Sequence, residues 1–234
     1  MLAVVGSPTF TPGSTPDAAG EAGGIAAGIA RAAAAGGAEV QLIGKIGDDP
    51  AGDAVLLALA RGGVGHVAIL RDAGQATPIA PPAAFEADPT DAEPITSLLA
   101  EPEAADVRPA ARGEVAAPPA PGLALEPADI SLGLRYVRDF RVLVAADPLD
   151  EPSAVVVADA AAFADAALVV IAPGGRSTST ALGTAIVLEA PEADPDGAFA
   201  ALVGRFAAAL DRGVDAADAF RAATAEGGWE RAAG

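Results

Sequence analysis

The chain has 234 residues, 52% of them hydrophobic, with a mean hydropathy of +0.38, which is enough apolar material for one sizeable core. Its net charge of −18 opposes any polyanion, so neither nucleic acid nor an anionic membrane is an expected partner. With no cysteine and one histidine, disulfides, thiolate chemistry and cysteine- or histidine-rich metal sites are excluded.

The first residues, MLAVVGSPTF, read as a strand rather than a signal peptide, because they lack a basic segment and a long apolar stretch. All apolar runs are broken by Gly, Asp or Pro, so none spans a bilayer, and a cytoplasmic protein is expected. AGGIAAGIARAAAAGG then reads as an alanine-rich helix stopped by Gly36 and Gly37, and AEVQLIG as a buried strand. Asp49 followed by Pro50 predicts an N-cap and first-turn proline, opening a helix through Arg61 that closes at Gly62 and Gly63. HVAIL is the next strand. This strand–helix alternation predicts an α/β domain with a mainly parallel sheet.

From about residue 75 to 127 the character changes, because eleven of the 20 prolines lie between Pro78 and Pro127. Proline removes ladder donors, so a regular sheet is not expected here. The segment reads as a Pro/Ala-rich lid-like or irregular insertion, with a disordered linker as the alternative. Alternation resumes with a helix over 128–139, the strand FRVLVAA, a helix over 152–164, the strands ALVVIA and TAIVLEA, and a helix from Ala198 to Arg212. Asp215 and Asp218 are spaced as a capping box for a last helix.

The chemical inventory is thin. There is neither a GxxxxGK[ST] phosphate loop nor a GxSxG elbow, and His66 at the start of a strand reads as a surface or packing residue. Gly174, Gly175 and Arg176 in APGGRSTST offer an anion nest, but an ordinary loop accounts for them better. Asp48 and Asp49 are adjacent acids that suit Mg²⁺, yet a turn and a cap explain both, so no metal site is expected.

The combination of segments is more informative. GGIAAGIARAAAAGGAEVQLIGKIGDDPAGDAVLLALARGGV, residues 23–64, closely resembles the N-terminal signature of the ribokinase-like, or PfkB, carbohydrate kinases. DPDGAFAALVGRFAAALDRGVDAADAFRAAT, residues 194–224, is similar to the family's C-terminal signature D-T-x-G-A-G-D-x-F and the long helix after it. The middle of the chain resembles the family only in its strand–helix rhythm, and the chain is shorter than typical members. The resemblance implies a shortened ribokinase-like three-layer α/β/α domain over 1–234, with a reduced or irregular lid.

It also implies roles for particular positions. In active members the last Asp of G-A-G-D takes the proton from the sugar hydroxyl, and the preceding backbone N–H groups form the anion hole for the phosphoryl group. Here Gly197 and Ala198 match, the second glycine is Phe199, the base is Ala200, and the threonine is Pro195. Alanine cannot accept a proton, and losing a general base typically costs about 10²–10⁴-fold. On the sugar side, Gly23 and Gly24 are kept, but Thr11 stands where the family has a hydroxyl-gripping Asp, and Gly28 where it has Asn. Base, anion hole and sugar positions thus depart together.

What this implies is a PfkB homologue without phosphotransferase activity, which senses a small ligand or acts through protein contacts, with a homodimer among the options. No cofactor is firmly implied, ATP with Mg²⁺ being the candidate if nucleotide binding is retained. The alternative is an active ATP-dependent sugar or nucleoside kinase, with an alcohol as acceptor and Asp194 or Asp196 as a non-standard base.

Overall fold

The computed structural model describes residues 1–13, 20–80, 123–175, 178–194 and 196–227. In chain order the elements are β1 (Leu2–Val5), β2 (Thr9–Thr11), β3 (Glu21–Gly23), α1 (Ile25–Ala35), β4 (Val40–Gly47), α2 (Pro50–Arg61), β5 (Val64–Asp72), α3 (Pro127–Tyr136), β6 (Val142–Ala145), α4 (Glu151–Phe163), β7 (Ala167–Pro173), β8 (Ile186–Ala190), α5 (Ala198–Asp211) and α6 (Ala216–Gly227).

Six strands form one parallel sheet in the order β5-β4-β1-β6-β7-β8. β1 is central and buried along its whole length, as expected of a strand with helices on both faces. Alternation divides its side chains between two cores. Leu2 and Val4 join Ile29, Leu202, Val203 and Phe206 on the face covered by α1, α2, α5 and α6. Ala3 and Val5 join Ile130, Ala154 and Val157 on the face covered by α3 and α4. The architecture is therefore a three-layer α/β/α fold with a mainly parallel sheet.

The helix starts follow their sequence signals. Asp49 caps α2 by accepting the Gly52 N–H at 2.7 Å, with Pro50 in the first turn, and Asp150 caps α4 by accepting the Ser153 N–H at 2.9 Å. α3 ends at Tyr136 rather than 139, because Val137 turns to an extended backbone that buries its side chain. The reciprocal capping box expected at α6 is not formed. Asp215 accepts from the Ala217 N–H, and Asp218 pairs with Arg221 three residues on.

A second, two-stranded antiparallel sheet, β2 with β3, stands apart from the main one. Residues 75–80, the start of the proline-rich segment, extend it. The Phe10 N–H donates to the Pro78 carbonyl and the Ala80 N–H to the Phe10 carbonyl, both at 2.8 Å. Residues 81–122, the bulk of that segment, lie outside the described residues. No helix among the described residues is long and apolar enough to cross a membrane.

β1 is followed in the sheet by β4 on one side and by β6, β7 and β8 on the other. The strand order therefore reverses between β1 and β6. In open parallel sheets, ligands bind in the crevice beyond the carboxyl ends of the strands at such a reversal.

Candidate functional site

Gly6 and Ser7 leave β1 at this crevice, and Asp147 lies just after β6. A Cβ on Gly6 would sit 2.7 Å from the Ala26 Cβ and 3.3 Å from the Asp147 Cγ, so a glycine is required for α1 to approach the sheet. The Ser7 N–H donates to Asp147 Oδ2 at 2.6 Å, and the Ser7 hydroxyl donates to the Leu123 carbonyl. Burial raises the Asp147 carboxyl above its ordinary value, with the hydrogen bonds from Ser7 pulling the other way.

β3 delivers Gly23 and Gly24 to the start of α1. Gly24 is the N-cap residue at φ 86°, a left-handed conformation that favours glycine. A Cβ on Gly23 would fall 2.3 Å from Thr11 Oγ1 and 2.9 Å from Thr9 Oγ1, so both hydroxyls crowd this backbone. Thr11, the position singled out by sequence, is half-exposed at the edge of β2 opposite Glu21. Thr9 is the buried member of the pair, and its Oγ1 has no hydrogen-bond partner. The sequence reading missed Thr9 because nothing in a three-residue strand indicates which of its hydroxyls turns inward.

The other wall is the start of α5. Gly197 is its N-cap at φ 65°, and the Asp194 carboxylate accepts the N–H groups of Phe199 and Ala200, each at 2.9 Å. Asp194 also belongs to the family signature, so this cap is part of the construction of the turn. The departures begin at Phe199 and Ala200, which are buried in the main core. Of the two candidate replacement bases, Asp194 has both oxygens engaged by the helix start, and Asp196 is exposed. Ala198 is exposed, and Pro195 and Arg176 lie outside the described residues.

The structure brings Gly28 and Ala200 together. A Cβ on Gly28 would lie 2.8 Å from the Ala200 Cβ, closer than real Cβ contacts allow. This is the first rung of a ladder between α1 and α5. In the next rung a Cβ on Gly204 would lie 2.6 Å from the Ala32 Cβ, and in the third a Cβ on Gly36 would lie 3.4 Å from the Ala208 Cβ. Small residues at four-residue spacing let the two helices touch along their length. Gly28 and Ala200, the two positions singled out by the sequence resemblance, are thus both part of helix packing.

The G-x-I-G-D-D-x-x-G segment has a scaffolding role. Gly47 donates its N–H to Thr77 Oγ1 at 2.9 Å, and Asp49 Oδ2 accepts the Thr77 N–H at 2.7 Å. Hydrogen bonds from the Gly52 N–H and then from Thr77 hold the Asp49 carboxyl below its ordinary value. Asp48 pairs with Arg71. Among the described residues no group of three His, Asp or Glu is placed to hold a metal ion.

A sequence profile of the pfkB family carbohydrate kinases matches residues 15–83. No curated protein matches the chain. Solved structures with a similar fold include aminoimidazole riboside kinase from Salmonella enterica, at 16% identity and a TM-score of 0.60, covering 97% of this chain and 92% of that one. A PfkB protein from Polaromonas sp. JS666 matches at 16% identity and a TM-score of 0.59, over 97% and 94%. Ribokinase from Arabidopsis thaliana, solved with ribose and ATP, matches at 15% identity and 0.59, over 97% and 90%. At these identities the likeness is one of fold, and the fold is ribokinase-like, with the PfkB resemblance strongest in the N-terminal third.

Proposed function

We propose that this chain is a ribokinase-like carbohydrate-kinase homologue that binds a small ligand in the crevice between β1 and β6 and does not transfer phosphate to it. The observation behind this is the contact between Gly28 and Ala200. Where the family resemblance puts a proton acceptor facing the sugar, a methyl group is packed against a bare glycine. Phosphoryl transfer depends on positioning and on donors aimed at the transferring group. At the start of α5, Phe199 stands where the family signature has its second glycine, bringing a Cβ and a ring to a backbone that would have to approach a phosphate closely. The residues present therefore fit MgATP poorly, and no step is assigned to it.

The test is turnover of ATP by the purified chain against sugars, nucleosides and simple alcohols, read by ADP release and by product mass. The expected result is no acceptor-dependent ADP. Phosphorylation of any acceptor would overturn the proposal.

A further inference from the structure

The crevice holds three polar groups that the scaffold does not use up. The first is the Asp147 carboxylate. One of its oxygens takes the Ser7 N–H, and among the described residues no basic side chain pairs with it. A half-buried carboxylate without a cation is costly, and an ammonium group is what would offset that cost. The second is the start of α1. This helix of 11 residues begins at Gly24, which supplies no capping side chain, and has no acid in its first turn. Its leading N–H groups therefore have no side-chain cap, and the positive end of the helix is left uncompensated by an acid of its own. The third is Thr9 Oγ1, a buried hydroxyl without a partner, 3.7 Å from the point where a Cβ on Gly24 would lie.

These groups surround one turn of chain. The Asp147 Cγ and the Ala26 Cβ both lie within 3.3 Å of the position a Gly6 Cβ would take, and the Ser7 carbonyl lies 3.3 Å from that of Gly24. An acceptor of positive charge thus sits beside a donor set for negative charge. We infer that the crevice takes a small zwitterion, an amino acid or close relative, with its ammonium on Asp147 and its carboxylate at the start of α1 beside Thr9. The assignment rests on the proposed ligand-binding role and names the ligand class for that site. It differs from a neutral sugar, whose hydroxyls would leave the Asp147 charge unmatched.

The test is melting of the full-length chain, without nucleotide, against each standard amino acid at about 10 mM, with calorimetric titration of those that shift it. Matched controls are the decarboxylated amine and the hydroxy acid of each hit. An amino acid should raise the melting temperature, and its two controls should not. Asp147→Asn keeps an oxygen to accept the Ser7 N–H but removes the charge, so it should weaken binding about 10-fold or more. Thr9→Val should weaken it several-fold. No shift with any amino acid, or equal binding by a folded Asp147→Asn variant, overturns the assignment. Because ATP is left out, this outcome is read separately from turnover. Acceptor phosphorylation would defeat the proposed absence of transfer while leaving the amino-acid result standing.

Discussion

Placing a carboxylate at the position that the resemblance assigns to a base, by Ala200→Asp, should cost stability rather than produce phosphotransfer. Ala200 is 3% exposed and faces Gly28, which offers no hydrogen-bonding side chain. Its own N–H already serves Asp194, so the new carboxylate would also stand near an existing one. Full burial raises a carboxyl by up to about 3–5 pKa units, and each unit corresponds to about 1.36 kcal/mol at a pH where the group would otherwise be charged. The positive end of α5 returns about 1 kcal/mol of this. Because the buried acid takes up a proton once its folded pKa passes the working pH, the cost at pH 7 is capped at about 4 kcal/mol and the net is roughly 3 kcal/mol, against a total stability of about 5–15 kcal/mol for an ordinary domain. Urea denaturation at pH 7 and pH 5 measures it, and the deficit should shrink at pH 5 as the acid becomes neutral. Adding Phe199→Gly removes a buried core side chain and leaves Gly28 opposite the new acid, so phosphotransfer should still be absent. An Ala200→Asp variant within about 1 kcal/mol of wild type that phosphorylates an alcohol would refute the reasoning.

Gly204→Ala places a Cβ 2.6 Å from the Ile29 carbonyl oxygen and 2.9 Å from the Ala33 nitrogen, both backbone atoms, and should cost about 1–3 kcal/mol in a urea titration. Asp49→Ala removes the cap of α2 and the tie to Thr77, for about 1–2 kcal/mol at neutral pH. Because the fold lowers the Asp49 carboxyl, that difference from wild type should fade as the pH falls below its ordinary value of 3.8. Asp147 has the opposite sign. Its carboxyl is raised in the fold, so its contribution is complete below 3.8 and lost as pH rises through the folded value. Asp147→Asn should therefore melt higher than wild type at neutral pH and match it in acid, as thermal scans across pH 3–8 would show.

The elements of the main sheet were legible because each strand is a run of apolar residues bounded by turn signals, and each helix carries its own stop or cap. The small sheet was not. Thr9–Thr11 and Glu21–Gly23 are three residues each, too short for alternation to register, and their pairing depends on a partner across the hairpin. The end of α3 was misplaced because no Gly or Pro marks a stop at Val137, which turns to an extended backbone and buries its side chain. At α6 the spacing of Asp215 and Asp218 fits a capping box, but Asp218 has a cation one turn further on, and that pair displaces it.

The candidate site shows the same division between local and distant information. The departures from the resembled signature at Ala200 and Gly28 were visible position by position, yet the two were read as separate changes. In the fold they form a single contact, repeated at Ala32 with Gly204 and at Gly36 with Ala208. The spacing that builds it, a small residue every fourth position in both helices, is present in the sequence. Its meaning depends on which two helices meet, more than 160 residues apart. The same holds for Ser7 and Asp147, which are 140 residues apart and joined by one hydrogen bond. A helix packed through bare glycine and methyl contacts cannot admit a carboxylate at one rung without opening the others. With Gly28 and Ala200 inside the ladder, packing opposes a carboxylate at that rung, and the polar groups left for the proposed ligand lie on the other wall, at Asp147, Thr9 and the start of α1.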